Sequence, residues 1–321
     1  MTMQSVKKLI KVLKNKKRIF IQTHNYPDHD AVASAFALQY LLRNFKIDAK
    51  IIYHGDILRD SLQKMKEKTG IEILPHYKYK MHEEDSIVLV DANKKNKNVA
   101  ALKGNVVAVI DHHPGECYED LEFCDIRSDY GACATIIFSY FAELKMEPSR
   151  EVATALHTAI NFDTHQFTRN ASPIDIETVA MLYQVSDVAL VNSLVRNSIK
   201  LDDFKYYRYA IDNVRIEKIF AYCHFPQGCS KDLLAILADY ILSVEEIEFV
   251  VLSAQSTDEI SFCVRSENPN IMANTAIQMI LEGIGSGGGH IDMAGGRIPD
   301  VKDFDQEKIF KKCLKIAKSG C

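Results

Sequence analysis

The first half of the chain repeats one alternation. Short apolar runs rich in β-branched side chains stand at RIFIQ (18–22), AKIIY (49–53), SIVLV (86–90) and VVAVI (106–110). Two stretches between them, AVASAFALQYLLRN (31–44) and LRDSLQKMKEK (58–68), carry apolar positions at helical period instead. Strands apolar at nearly every position are buried on both faces, and helices between them predict a parallel sheet covered on each side. After CDIRSDYGA (124–132) the period is helical throughout, in ACATIIFSYFAEL, REVATALHTAI, IDIETVAMLYQV and VALVNSLVRNS, with Pro148 and Pro173 near two of the starts.

Residues 198–216 are polar, charged and rich in tyrosine, with helical spacing but no wholly apolar face, and read as a connector. Beyond them come strand-like KIFAYCHF, helix-like KDLLAILADYILSV, and the pair IEFVVLSAQ and EISFCVRSE joined by the short turn STD. A helix MANTAIQMILEGIG, a glycine-rich turn and a C-terminal helix DFDQEKIFKKCLKIAKSG complete this part. The expected fold is α/β. A doubly wound, mainly parallel-sheet domain spans 1–197, a helical connector 198–216, and a smaller mixed-sheet α/β domain 217–321.

Composition narrows the class. At 321 residues the chain exceeds one ordinary core, which agrees with two domains. No apolar run reaches the roughly 18 residues needed to span a membrane. The lysine-bearing amphipathic start MTMQSVKKLIKVLKNKK lacks a signal-peptide cleavage site. The C-terminal EKIFKKCLKIAK reads as a packed helix. A net charge of −4 argues against long duplex nucleic acid as a partner, though not against a local basic groove. Eight cysteines form no CxxC pair, and Cys117/Cys124 and Cys223/Cys229 lack zinc-finger spacing. They are expected as reduced, buried thiols in a cytoplasm.

The chemistry gathers where the strands end. His24, Asp28 and Asp30 follow the first run, Asp91 ends the third, and Asp111 ends the fourth ahead of His112 and His113. Asp163 closes the helical segment HTAINFD. Ligands bind at the carboxyl edge of an open parallel sheet, so the first three groups should converge there. Alone, a strand-end aspartate reads as a helix cap and a single histidine as a satisfied polar residue. Together, Asp28, Asp30, Asp91 and Asp111 would repel unless cations lay among them. Carboxylates mixed with imidazoles suit Mn²⁺ or a similar divalent ion better than Ca²⁺. The donors suffice for two ions sharing one carboxylate, an arrangement that clamps both oxygens in phosphoryl transfer. The turn GSGGGH is neither a P-loop nor a GxGxxG fingerprint. It reads equally as a backbone anion nest or as a flexible turn. The lysines of NKKNKN (93–98) could steer anions or simply solvate a loop.

These motifs resemble those of the DHH family of phosphoesterases. HNYPDHDAVASA (24–35), VDAN (90–93), DHHPG (111–115) and FDTHQF (162–167) are similar to its four motifs, in order. GSGGGHIDMAGG (285–296) resembles the GGGH signature of the associated DHHA1 domain. In size the chain resembles the branch of nanoRNases, nucleoside-bisphosphate phosphatases and dinucleotide phosphodiesterases; RecJ exonucleases usually carry further domains, and family II pyrophosphatases a different C-terminal domain.

The resemblance implies that His24, Asp28 and Asp91 hold one metal and that Asp30, Asp91, His112 and Asp163 hold a second. Asp111 would orient an imidazole or a bound water, and His113 would face the substrate phosphate. Gly288, Gly289, His290 and Arg265 would bind substrate; the plainer reading of Arg265 is a surface arginine. The implied cofactor is two Mn²⁺ ions, with Mg²⁺ or Co²⁺ as substitutes. The implied reaction is attack of a metal-activated hydroxide on linear dinucleotides, very short oligoribonucleotides or nucleoside 3′,5′-bisphosphates.

A polyphosphate or pyrophosphate hydrolase is the alternative, and a non-catalytic nucleotide-binding regulator ranks below it because every ligand position is filled. Base-stacking aromatics, for which Tyr130 and Phe167 are candidates, would separate nucleotide from polyphosphate. A cleft that closes about the connector is expected, in a monomer or homodimer without a membrane partner. The chain departs from the family pattern at His29 and His165, where glycine is common, and at Asp292 and Met293. Those positions bear on the pocket, not on the ligand set.

Overall fold

The computed structural model of the protein describes residues 5–57, 59–96, 98–196 and 199–319. Residues 1–4, Leu58, Lys97, Asn197, Ser198, Gly320 and Cys321, which the expectations above touch, lie outside them. The chain divides into two compact units, residues 1–198 and 199–321.

The first unit is built on a parallel sheet of β1 (Ile19–Gln22), β2 (Ala49–Tyr53), β3 (Leu74–Pro75), β4 (Ser86–Val90), β5 (Asn105–Asp111) and β6 (Phe123–Ile126). The strand order is β3-β2-β1-β4-β5-β6. Every residue of β1 and β4 is buried, as their unbroken apolar character requires. Helices α1 (Val6–Leu13), α2 (His29–Arg43), α3 (Asp60–Thr69), α4 (Cys133–Leu144), α5 (Arg150–Asp163), α6 (Pro173–Tyr183) and α7 (Val188–Arg196) cover it. In α2 the residues from His29 to Ala35 are all buried, because α2 packs among the sheet, α4 and α5. Ser149 caps α5, and Ser172 with Asp175 forms a capping box ahead of Pro173 in α6.

Strand β6 has no counterpart in the apolar pattern. Asp125 interrupts its run, yet Asp125 is buried and compensated. Arg127 reaches it at 2.7 and 3.0 Å, and the Tyr140 hydroxyl donates to it at 2.7 Å. The expectation of reduced thiols fails at one pair: Cys117 and Cys124 form a disulfide, with Cα atoms 5.8 Å apart. Pairing of β6 with β5 folds the 112–122 segment back and sets the two cysteines together. Cys133, Cys223, Cys229 and Cys313 keep their thiols.

The second unit holds α8 (Phe204–Asn213), β7 (Arg215–Glu217), β8 (Phe220–Phe225), α9 (Lys231–Leu242), β9 (Phe249–Gln255), β10 (Ile260–Ser266), α10 (Ala273–Leu281), β11 (Ser286–Gly289), β12 (Met293–Ile298) and α11 (Gln306–Ser319). Its sheet runs β11-β12-β10-β9-β8-β7, antiparallel except for the parallel pair β8–β9. The connector stretch folds into this unit. Ala210 of α8 is fully buried beside α9, and Tyr206, Tyr207 and Tyr209 pack over the same cluster. Tyrosine bodies thus supply the apolar face that the sequence lacks in aliphatic residues. Among the described residues no helix is long and apolar enough to cross a membrane.

Candidate metal centre

The strand order reverses between β1 and β4, and that switch point is where an open α/β sheet parts to admit a ligand. His24 and Asp28 lie just past β1, Asp91 just past β4, and Asp111 ends β5 beside it. Asp163 is the last residue of α5, which packs along α2.

Asp91 sits at the middle. Its Oδ2 lies 3.5 Å from His24 Nε2, and its Oδ1 lies 3.5 Å from His112 Nε2 and 3.6 Å from His113 Nδ1. His24 Nε2 is also 3.7 Å from Asp28 Oδ2. His112 Nε2 is 3.1 Å from Asp163 Oδ2 and 4.0 Å from Asp30 Oδ2. Three overlapping sets have the spacing of metal ligands: His24, Asp28 and Asp91; Asp30, His112 and Asp163; and Asp91, His112 and His113. All six positions expected as ligands are therefore brought together.

The surrounding backbone orients these groups. His24 Nδ1 donates to the Asn25 carbonyl at 2.9 Å, and His112 Nδ1 to the Tyr130 carbonyl at 3.2 Å, so each ring turns Nε2 inward. Asp28 caps α2 through Oδ1, which accepts from the N–H groups of Asp30 and Ala31, and presents Oδ2 to His24. Asp30 accepts from the Cys133 and Ala134 N–H groups at 2.6 and 2.8 Å, fixing the start of α4 against the centre. The helix-cap reading and the ligand reading thus coexist in the same side chains. Asp111 accepts from both the backbone N–H and the ring Nδ1 of His113, at 3.1 and 2.9 Å.

The electrostatics suit a cation. Burial works against charge on His24 and His112, but hydrogen bonds and charges from the surrounding aspartates outweigh it and hold both pKa values well above 6.5. His113 is raised likewise, by Asp111 and Asp91 against burial. Burial, with repulsion from neighbouring carboxylates, raises Asp30 and Asp163. Against the same burial, His24 and its neighbours pull Asp28 and Asp91 down. Protons therefore balance a charge density that a divalent ion would balance instead. Asp91 Oδ1 is buried and makes no hydrogen bond, which fits a metal-facing atom better than a packed one.

Other expected residues fall elsewhere. His29 neither lines a pocket nor points outward. It is fully buried and stacked on Phe162, with ring centroids 3.6 Å apart, and burial lowers its pKa to about 3. The stack ties the turn bearing Asp28 and Asp30 to the helix end bearing Asp163. His165 has a left-handed backbone (φ 50), as do Gln166 and Phe167, which explains why glycine would be at ease there.

Lys94 is bound to Asp120 at 2.6 Å, and Lys95 lies over Tyr118, so both are held by the 117–124 loop. Arg59 escaped notice in the sequence, yet its charge bears on Asp28 and His29. Its place beyond β2 on the carboxyl edge was the available signal.

In the second unit the glycines form no nest. Gly287, Gly288 and Gly289 belong to edge strand β11, paired with Gly296, Gly295 and Ala294. His290 follows, its N–H donating to Met293 O at 2.7 Å. Asp292 and Met293 continue this turn into β12, where Met293 pairs with Arg265. Arg265 is not a surface residue. It is buried, with Nε 2.7 Å from Asp239 Oδ1, Nη2 3.4 Å from Asp239 Oδ2 and Nη1 3.2 Å from Cys263 Sγ. Asp239 therefore already answers its charge.

A doubly wound unit with a carboxylate–imidazole cluster at its switch point, followed in the chain by a mixed-sheet unit, defines a two-domain α/β protein with a candidate metal centre in its first unit. Residues 18–160 match the DHH family N-terminal domain, and residues 216–317 match the DHHA1 domain. The chain belongs to the DHH/DHHA1 phosphoesterase superfamily.

An uncharacterized protein of Methanocaldococcus jannaschii is 31% identical over 91% of this chain, which spans 60% of that protein. A probable manganese-dependent inorganic pyrophosphatase of Bacillus licheniformis is 29% identical over 47% of this chain and 49% of its own length. The cyclic-di-AMP phosphodiesterase GdpP of Geobacillus thermodenitrificans is 23% identical over 92% of this chain and 47% of its own. The crystal structure of an exopolyphosphatase-related protein from Bacteroides fragilis shares the fold over 98% of this chain and 95% of its own, with a TM-score of 0.78 at 20% identity.

Proposed function

We propose that the chain is a two-metal phosphoesterase acting on short nucleotides: linear dinucleotides, very short oligoribonucleotides or nucleoside 3′,5′-bisphosphates. The observation that carries this reading is Asp91, whose two oxygens face His24 and His112 separately. In this reading His24, Asp28 and Asp91 hold one ion, and Asp30, Asp91, His112 and Asp163 the other. Mn²⁺ suits the donors best, with Mg²⁺ or Co²⁺ as substitutes. Bound divalent ions would neutralise charge on the phosphate oxygens and acidify a bound water. His113, anchored through Nδ1 to Asp111 and with a raised pKa, would hold a proton at Nε2 for the leaving oxygen.

The likeness to a cyclic-di-AMP phosphodiesterase supports a dinucleotide substrate, and that to a manganese-dependent pyrophosphatase supports the alternative of pyrophosphate or polyphosphate. The test is a competition with purified protein and Mn²⁺ among a 5′-phosphorylated dinucleotide, a nucleoside 3′,5′-bisphosphate, a cyclic dinucleotide and a short polyphosphate. Preferential loss of a nucleotide is the expected result. Loss of polyphosphate alone would reverse the order of the two readings.

A substrate-binding role for β11 has a separable test. A Cβ at Gly288 would meet nothing within 4 Å, whereas at Gly287 it would come within 2.6 Å of Ile277 and at Gly289 within 2.5 Å of the Met293 carbonyl. Gly288→Ala is expected to leave stability within about 0.5 kcal/mol of the parent. Gly289→Ala, which is also strained at φ 150, is expected to cost roughly 1–3 kcal/mol. A raised KM in Gly288→Ala at unchanged thermal midpoint would report ligand contact; an unchanged KM would remove Gly288 from the binding surface.

A further inference from the structure

Neither aromatic residue nominated for stacking is well placed for it. Tyr130 and Phe167 are half-buried against the first-unit core, and Tyr130 lies beneath the Arg127 guanidinium. Within the first motif an aromatic ring does face solvent: Tyr26, 59% exposed, two residues from His24 on one side and two from Asp28 on the other.

Several features hold Tyr26 in place. Its N–H donates to the His54 carbonyl at 2.9 Å, across the end of β2. The preceding residue is tied down as well, since Asn25 N–H donates to Asn98 O at 2.6 Å and Asn25 Oδ1 accepts from the Ala100 N–H at 2.9 Å. The ring rests on Gly55, where a Cβ would come within 2.7 Å of Cδ1 and Cε1, so only glycine lets it lie there. The Tyr26 backbone is left-handed (φ 55), a conformation that costs a residue with a Cβ about 1–2 kcal/mol. Folding alone does not account for an aromatic residue kept in a costly conformation, seated on a glycine and left mostly exposed.

A second group of rings stands past the ends of β2 and β3 on the same sheet edge. The His54 ring lies 5.0 Å from that of His76, and His76 lies 6.0 Å from Tyr77, which is 71% exposed. These rings stand beyond β2 and β3, on the far side of β1 from Asp91. A phosphate held by His24, Asp28 and Asp91 would therefore have an aromatic edge beside it on the β2 side.

We propose that Tyr26 is the platform on which a nucleobase of the substrate stacks, with the His54 and His76 rings farther along the same edge. It makes the enzyme prefer base-bearing phosphoesters to pyrophosphate and polyphosphate. The proposal rests on the nucleotide phosphoesterase reading above. Stacking suits the site because every base offers a π-face, and a tyrosine ring gives grip without selecting a sequence.

The test compares kcat/KM for a 5′-phosphorylated dinucleotide with that for the same molecule lacking its bases, in the Mn²⁺-supplemented full chain. Tyr26→Asn removes the ring while keeping a residue at ease in the left-handed region, and Tyr26→Phe keeps the ring. In Tyr26→Asn the preference for the base-bearing substrate should fall about tenfold or more, mainly through KM, and in Tyr26→Phe it should stay within about twofold. A preference unmoved in Tyr26→Asn, even with both rates lowered, overturns the platform while leaving the phosphoesterase reading intact. A parent protein that cleaves neither dinucleotide overturns both.

Discussion

Asp91→Asn is expected to empty the centre and abolish turnover. Asp91 is the carboxylate shared by two of the three ligand sets, one oxygen toward His24 and the other toward His112 and His113. Asparagine keeps its volume but removes the charge, and it can turn an N–H₂ group toward an imidazole that needs an acceptor or a cation. The substitution is also gentle on the backbone. Asp91 has φ 55, a region asparagine tolerates better than most residues, so loss of fold is not the expected outcome. Bound Mn²⁺ should fall close to zero at concentrations that saturate the parent. Turnover should fall ~10³-fold or more, because the metals carry several kcal/mol of transition-state stabilisation. Elemental analysis and a turnover assay on the same sample decide it. Parent-like metal content together with parent-like rate would show that the centre is not organised around Asp91.

How far such a site is legible in a sequence depends on whether its residues are marked by the periodicity of the chain. His24, Asp28, Asp91 and Asp111 stand at the ends of runs buried on both faces, so the parallel-sheet rule alone gathers them. Asp163 is marked only by its position at the end of a helical segment, outside the strand-end pattern. Strand β6 was hidden because Asp125 breaks its apolar run, and only Arg127 and the Tyr140 hydroxyl, brought by the fold, make that charge tolerable.

Glycines carry no side-chain pattern at all. The segment 286–289 therefore read as a turn, when its missing Cβ atoms let an edge strand pass under Ile277 and beside Ala294. The fate of His29 depended on Phe162, a partner more than a hundred residues away in sequence. Tyr26 lies inside the most informative motif, but its exposure and backbone strain do not show in letters.

Divalent metal is expected to stabilise the protein more as pH rises from about 6 to about 8.5. The folded pKa values of His24, His112 and His113 are raised, and so are those of Asp30 and Asp163. A raised group contributes stability that is full below its unfolded value, ~6.5 for imidazole and ~4 for carboxyl, and is lost as pH climbs through the folded value. Asp28 and Asp91 are lowered, so their contribution is present above ~4 and is lost only in acid, outside this window. The metal-free centre therefore weakens across the neutral to alkaline range, where it loses the protons that hold its carboxylates together.

Those protons are also the competitors of the metal, so affinity rises over the same interval. Ion at a hundredfold above Kd adds about 2.7 kcal/mol, and each proton no longer displaced adds up to ~1.4 kcal/mol per pH unit. In a unit of this size 1 kcal/mol moves the thermal midpoint by roughly 2–4 °C. The gap between Mn²⁺-loaded and chelator-treated protein should thus widen by a few degrees per pH unit. A gap that stays constant or narrows on the alkaline side would mean that protons and cation do not share one set of ligands.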